Sequence, residues 1–335
     1  MKTVYATAWV TAFVLFALLA GAVLDLFRFA DTAADPDGGA QIVAVPQGQR
    51  FKTTAKDLHT RGIIGSVFKF NLYARVKGYD KKIKAGEYHL SAAQSPREIL
   101  DVIVSGKVRF YKITIPEGYN LVQIADLIPA AGLGSAADFL TSARDKALAR
   151  KFGIEADSFE GYLFPDTYHF PKGARVEGII EVMVKRFRQV LTPEWERRAG
   201  EKKLTVHQAV TLASIIEKET GAPSERPIIS SVFHNRLKKG MRLASDPTVI
   251  YGIKDFSGNL TRRDLRTWTP YNTYKIKGLP PGPIANPGEK SLEAALFPAR
   301  TDYLFFVSKR DGTHQFSTNY KDHEKAVRKY QLRRK

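Results

Sequence analysis

The stretch VYATAWVTAFVLFALLAGAVL, Val4 to Leu24, carries no charged residue. A helix needs roughly 20 mostly apolar residues to cross a bilayer. This run is long enough, so everything after it must fold on one side of a membrane. Lys2 and the terminal amine precede it, and Asp25, Arg28, Asp31, Asp35 and Asp37 follow. The excess of positive charge ahead of the run puts the N-terminus in the cytoplasm and the remainder outside. Ala20-Gly21-Ala22 resembles a small-residue cleavage site, which makes a removed signal peptide the competing reading. The apolar run exceeds a usual signal core, and a retained anchor is favoured. Residues 1–29 therefore read as anchor and flank, and 30–42 (ADTAADPDGGAQI) as a flexible linker.

The 335 residues suggest two modest domains or one large one, and 44% hydrophobic content supports a real core. The absence of cysteine excludes disulfides and cysteine-ligated metals. A formal charge of +18 predicts attraction to an anionic partner, such as lipid headgroups, a wall polymer or nucleic acid. Nucleic acid is disfavoured, because the basic residues are spread along the chain and no DNA- or RNA-binding signature is present. The one dense run, KAVRKYQLRRK at the C-terminus, reads as a frayed basic helix end. No cofactor or metal is expected. The seven histidines form no HExxH pattern, and His314 and His323 lie in an amphipathic tail.

Two stretches look alike. VPQGQRFKTTAKDLHTRGI (45–63) and IPEGYNLVQIADLIPAAGL (115–133) each read as strand end, Pro–x–Gly turn, amphipathic helix and Gly stop. Two copies are too few for a solenoid and suggest one small α+β module used twice. Between them, 84–91 reads as a strand, and Ser95 with Glu98 forms a capping box for a helix over 96–105. A module over 43–112 is thus followed by a region over 113–335 that opens on the second copy, 113–135. The fold class is α+β. Further on, 175–191 has helical spacing, and Thr205 with Gln208 caps a helix over 206–220 that Gly221 stops. Ser224 is the expected N-cap of the next helix, which carries Ile228, Ile229, Val232, Phe233 and Leu237 on its apolar stripe and stops at Gly240. Residues 241–290 are loop-rich, a composition suited to a binding surface. The end reads as a β-hairpin turning at Asp311-Gly312.

LASIIEKETG (212–221) places a carboxylate at the end of an apolar helix. Helical spacing puts Val210, Ala213, Ser214 and Glu217 on one side, and Leu212, Ile215, Ile216 and Glu219 on another. Burial and the negative end of the helix dipole both act against a charged Glu217, as a general acid requires. The alternative is a structural Glu paired with a nearby Lys or Arg. A conventional glycosidase needs a second acid. Glu160, Asp166, Glu219, Glu225 and Asp246 are the candidates, and sequence does not rank them.

LASIIEKET, followed by SVFHNRL, GMRLASDPTVIYG and YNTYKIKGLPPGPIANPG, with EGYLFPDTY upstream, strongly resembles the endolytic murein transglycosylases, the MltG or YceG-like family. The resemblance covers nearly the whole chain and implies an anchor, a LysM-like module and a mixed α+β catalytic domain. It implies cleavage of the MurNAc–GlcNAc bond within peptidoglycan strands, leaving 1,6-anhydro ends and terminating or trimming nascent strands. The catalytic glutamate of the family's EKE motif matches Glu217. One residue would serve as acid and then base, so no second acid is needed. Asp246, Thr248, Tyr271, Asn272, Tyr274 and Asn286 are the candidates for gripping sugars; the alternative for each is a local turn or core role. The implied partners are glycan strands, the inner membrane crossed once, and the cell-wall synthesis machinery, with the catalytic region periplasmic. Gly221 and Pro223 depart from a helix-compatible pattern and put the helix boundary in doubt. Two other readings stand: a hydrolytic muramidase on the same scaffold, and a wall-binding scaffold in which Glu217 is structural.

Overall fold

A computed structural model describes residues 2–254, 256 and 258–332. The expected basic tail therefore lies partly outside the described residues, at 333–335. The chain forms two compact units, one running up to Tyr111 with Pro171–Gly173, the other Lys112–Phe170 with Ala174 onward.

The first unit contains α1 (Lys2–Asp31), β1 (Ala40–Val45), α2 (Phe51–Thr60), α3 (Val67–Val76), β2 (Gly86–Ser91) and α4 (Pro96–Ser105). β1 and β2 pair antiparallel, with Val43 opposite Tyr88. Strand alternation turns Val43, Val45, Tyr88 and Leu90 into a core completed by Ala55, Leu58, Phe70, Ile99 and Ile103. The Ser95–Glu98 capping box forms and starts α4 where the sequence predicts. Trp9–Asp31 of α1 is long and apolar enough to cross a membrane. Trp9, Phe13 and Phe16 are exposed, whereas Leu26 and Ala30 near its end enter the core. Of the stretch expected as a linker, 30–31 finish α1 and 40–42 open β1. The residues between are tied down, the Asp35 N–H donating to the Ala92 carbonyl at 3.0 Å.

The second unit takes up most of β3 (Phe110–Thr114), then α5 (Leu121–Ala130), α6 (Ala136–Ala143), α7 (Lys146–Lys151), β4 (Thr167–Pro171), α8 (Val176–Val190), α9 (Pro193–Glu201) and α10 (Val206–Glu219). It ends with α11 (Arg226–Lys238), α12 (Asp246–Tyr251), α13 (Arg262–Arg266), α14 (Glu289–Leu296), β5 (Phe305–Ser308), β6 (His314–Ser317) and α15 (Tyr320–Val327). β3 pairs with β4 and β5 with β6. α10 runs through the middle, packed by α9, α11, α12 and α14. The architecture is mixed α+β.

The two similar stretches fold alike. α2 buries Phe51, Thr54, Ala55 and Leu58, and α5 buries Leu121, Ile124, Ala125 and Ile128 at matching positions. The turn ahead of each helix uses a left-handed glycine, Gly48 at φ +78° and Gly118 at φ +75°.

Two helix ends differ from expectation. α10 stops at Glu219 with Thr220 extended, and Gly221 is no left-handed cap. Gly221 is instead needed for close approach, since a Cβ there would lie 2.7 Å from the Gly312 carbonyl oxygen. Ser224 does not cap α11. It sits inside a single 3-10 turn, Pro223–Glu225, and α11 starts at Arg226 with no side-chain cap. The Glu225 carboxylate is drawn away, accepting the His314 N–H at 3.0 Å and contacting its ring Nδ1 at 2.7 Å.

In the first unit Glu87 is nearly buried and accepts from Lys172 Nζ at 2.7 Å and the Tyr111 hydroxyl at 2.6 Å. The Lys172 bond, then the Tyr111 bond, hold its carboxyl below the usual carboxylate range. A folded-state value below the unfolded one contributes stability above the unfolded value, and that stability is lost as pH falls through the folded one. Glu87→Gln should therefore lower the melting temperature at neutral pH and flatten its decline on acidification below about pH 4.5. Thermal melts of both proteins across pH would show it.

Candidate active site

α10 begins with the expected capping box, the Thr205 hydroxyl accepting the Gln208 N–H at 3.2 Å and the Gln208 side chain accepting the Thr205 N–H at 2.9 Å. Every residue from Ala209 to Ile216 is buried. The Ser214 hydroxyl donates to the Thr211 carbonyl at 2.7 Å and accepts the Ile284 N–H at 3.0 Å, pinning the loop before α14 to the helix. A helix enclosed this way can present a polar group only at its ends.

Glu217 is that group. Its side chain is 7% exposed, yet both oxygens have donors. Oε2 accepts the Gly288 N–H at 3.0 Å, and Oε1 lies 3.4 Å from Arg226 Nη2. The helix-end reading foresaw the burial, the Arg226 contact is the kind of pairing its structural alternative expected, and the Gly288 donor was not foreseen. Glu219 turns elsewhere and accepts the Ser245 hydroxyl at 2.6 Å. Burial pushes its carboxyl up to about 7, against the Ser245 bond.

Three segments close around Glu217: the turn 116–119, the loop 284–288 and the start of α11. The Gly118 N–H donates to the Asn286 carbonyl at 2.9 Å, and the Asn286 N–H returns to the Tyr119 carbonyl at 2.8 Å. Lys218 Nζ donates to the Gly118 carbonyl at 3.3 Å. The turn lies against the carboxylate, a Cβ on Gly118 being 3.4 Å from Glu217 Cγ, an ordinary contact, so glycine is favoured here by its left-handed φ and not by lack of space. The turn also delivers Glu117, whose Oε2 is 3.7 Å from the same Arg226 nitrogen. The Glu117 carboxylate fills the space a side chain on Gly288 would need. Burial first, and the charge of Glu217 second, raise the Glu117 carboxyl above its ordinary value, with Arg226 opposing.

The residues expected to grip sugars fall in three places. Asp246, Thr248, Asn272 and Tyr274 share one network beside Glu219. The Tyr274 hydroxyl donates to Asp246 at 2.7 Å. Thr248 is fully buried, its hydroxyl bonded to the Ser245 carbonyl at 2.6 Å. Asn272 is also buried, and its amide closes the end of α13 by donating to the Thr267 carbonyl at 2.6 Å. Asn286 lies behind Glu217, accepting the Leu163 N–H at 2.9 Å and donating to the Tyr119 carbonyl at 2.9 Å and to Glu160 at 3.2 Å. Tyr271 packs against Tyr251 and lines a cavity of about 460 Å³ with Asp157, His207 and Pro281.

The other carboxylates are committed. Glu160 is buried and accepts from the Leu121 N–H, the Tyr251 hydroxyl and Asn286, and burial pushes it up to about 7. Asp166 pairs with Arg186 at 2.7 Å, which holds it below the usual range. Glu225 is held by His314. Among the described residues no cluster of three or more His, Asp or Glu could hold a metal ion. A cavity of about 1090 Å³ lies toward the opposite end of α10 and is edged by Lys202, Lys203, Lys238 and Arg300. Sequence reasoning missed Glu117, Arg226 and Gly288. The signal available for Glu117 was the aligned pair of turns, which carries Gln47 in one copy and Glu117 in the other.

A nearly buried carboxylate with two donors, beside a second carboxylate on the same guanidinium in an α+β domain, is an arrangement able to exchange a proton. Comparison with known proteins supplies the family. Residues 43–329 match the YceG-like family model. A protein of Bacillus subtilis (strain 168) named endolytic murein transglycosylase is 36% identical over 304 residues, 86% of this chain and 84% of the relative. A protein of the same name from Streptococcus pneumoniae serotype 2 is 29% identical over 317 residues, and the match takes in 57% of that longer relative. The crystal structure of a yceG-like protein from Listeria monocytogenes superposes with a TM-score of 0.59 at 36% identity, covering 85% of this chain and 98% of that one. The chain belongs to the YceG-like family.

Asn286→Ala would orphan the Leu163 N–H and remove a donor from Glu160. A loss of roughly 2–4 kcal/mol of stability is expected from such buried groups, with activity falling in parallel. A melt and an activity assay on the same preparation check this; an unchanged melting temperature with lost activity would mean that Asn286 acts on substrate.

Proposed function

We propose that this protein is a membrane-anchored endolytic lytic transglycosylase. It cleaves the MurNAc–GlcNAc bond inside peptidoglycan strands and leaves 1,6-anhydro-MurNAc ends. The observation that carries this reading is Glu217. It matches the glutamate that the family resemblance makes catalytic, and it is a nearly buried carboxylate at the end of a helix whose other side chains are packed. In relatives named endolytic murein transglycosylases the same region of sequence is shared.

The chemistry needs one proton-cycling group. Protonated Glu217 gives its proton to the glycosidic oxygen as the C1–O bond breaks. The resulting carboxylate takes the proton of the muramic C6 hydroxyl as O6 bonds to C1. Glu217 ends protonated, no water is consumed, and the 1,6-anhydro ring closes. The gripping roles of Asp246, Thr248, Tyr271, Asn272, Tyr274 and Asn286 belong to this proposal. So do the LysM-like character of residues 43–112, the boundary at 113, and a single-pass anchor that holds the rest outside the inner membrane. The exposed apolar surface of α1 supports the anchor. Carbonate washing should leave the full chain in the membrane fraction.

Hydrolysis is the second reading, favoured by Glu117, a second carboxylate at the site that could serve water. One experiment separates the two. Purified glycan is digested in heavy-oxygen water and the products weighed. Anhydro ends without heavy oxygen are expected; labelled reducing ends would establish the muramidase. Glu217→Gln should fold normally and lose roughly two to four orders of magnitude of cleavage. An unimpaired Glu217→Gln enzyme would move the catalytic acid to another of the carboxylates, and a parent that binds glycan without cleaving it would leave the wall-binding scaffold as the reading.

A further inference from the structure

We propose that Glu117 is a positioning residue for Glu217, acting through the guanidinium of Arg226 that both carboxylates share. This rests on the reading of Glu217 given above and adds a second residue to that site.

One nitrogen, Arg226 Nη2, lies 3.4 Å from a Glu217 oxygen and 3.7 Å from a Glu117 oxygen. Those two oxygens are therefore no more than about 7 Å apart. The Arg226 side chain is 15% exposed and its Nε has no hydrogen-bond partner among the described residues, so the guanidinium is committed to this corner without being saturated. Two carboxylates compete for one cation in a partly dry site, where like charges at that separation repel appreciably. Three elements and the 116–119 turn face the pair. The turn brings Glu117, α10 brings Glu217 and Lys218, α11 brings Arg226, and α14 brings Glu289 and the preceding Gly288 N–H. Lys290 is taken by Glu293 at 2.9 Å, and Lys218 Nζ is turned to the Gly118 carbonyl.

The turn does not require a carboxylate at this position. In the first unit the matching Gln47 precedes a left-handed Gly48 just as Glu117 precedes Gly118. The carboxylate at 117 is thus additional to the fold, and it is packed in. It occupies the space beside Gly288, whose N–H is the second donor to Glu217. Glu117 therefore acts on Glu217 in two ways. It draws Arg226 partly away, and it fixes the glycine that donates to Oε2. With Glu117 neutral, Arg226 would serve Glu217 alone and favour its carboxylate, and the protonated acid would form only at lower pH.

The test is Glu117→Gln in the full chain, in detergent, with two readouts. The first is the pH–rate profile for glycan cleavage. Its alkaline limb should move to lower pH by on the order of one unit, which lowers kcat about tenfold at neutral pH, with KM and the melting temperature nearly unchanged. Glu117→Asp, which keeps the charge, should restore the limb toward wild type. The second readout needs no substrate: carboxyl carbon-13 titration of glutamate-labelled protein, the Glu217 signal being identified by its loss in Glu217→Gln. That signal should titrate at lower pH in Glu117→Gln than in the parent. An unmoved limb with an unmoved titration overturns the proposal. A uniform loss at all pH values with a lowered melting temperature also overturns it, by making Glu117 a packing residue. If the parent cleaves no glycan, the functional reading fails, and the titration alone still decides the coupling.

Discussion

The enclosure of α10 is the constraint on which the second unit depends. Burying Ala209 through Ile216 leaves no lateral face for a charge. The apolar area removed from water is large, and at about 25 cal/mol per Å² it outweighs any single polar contact there. A carboxylate can then exist only where the helix runs out. The neighbouring loops must come to it with donors, because a buried charge without partners is not tolerated. The Gly288 N–H and Arg226 are those donors, and the glycine at 288 is what allows backbone and the Glu117 carboxylate to come so close.

What was legible in the sequence follows the range of each interaction. The capping boxes at Ser95–Glu98 and Thr205–Gln208 are contacts between residues three apart, and they start their helices where the pattern says. The repeated Pro–x–Gly turn and helix are equally local. Gly221 and Ser224 read differently in the fold because their surroundings come from the distant hairpin: Gly312 crowds one, and His314 takes the carboxylate next to the other. Asn272, Thr248 and Asn286 look like exposed loop residues in sequence. They are buried because their side chains serve backbone groups that the loops leave unpaired, a demand no local window reveals. Glu217 was legible as a buried helix-end acid, while its partners at 117, 226 and 288 meet only in three dimensions.

The duplicated turn shows how one local solution came to hold two different contents. Both copies bury the same four helix positions and use the same left-handed glycine. In the first, the turn is solvent-facing with Gln47 at its tip. In the second, the backbone around Gly118 is bonded to Asn286 and the tip carries Glu117. The scaffold is unchanged, and the carboxylate at 117 occupies the part of it that backbone geometry leaves free.

The hairpin of β5 and β6 braces the connection that leads into α11. Its Gly312 carbonyl rests on Gly221, two residues past the end of α10, and His314 grips Glu225, immediately before Arg226. Both ends of the short connection between α10 and α11 are thus clamped by residues some ninety positions downstream. The guanidinium at the start of α11 is held in register by the β5–β6 hairpin. A growing polypeptide would therefore carry Glu217 and Arg226 out of the ribosome long before the brace that aligns them, and the site would stay unset until that hairpin has emerged as well.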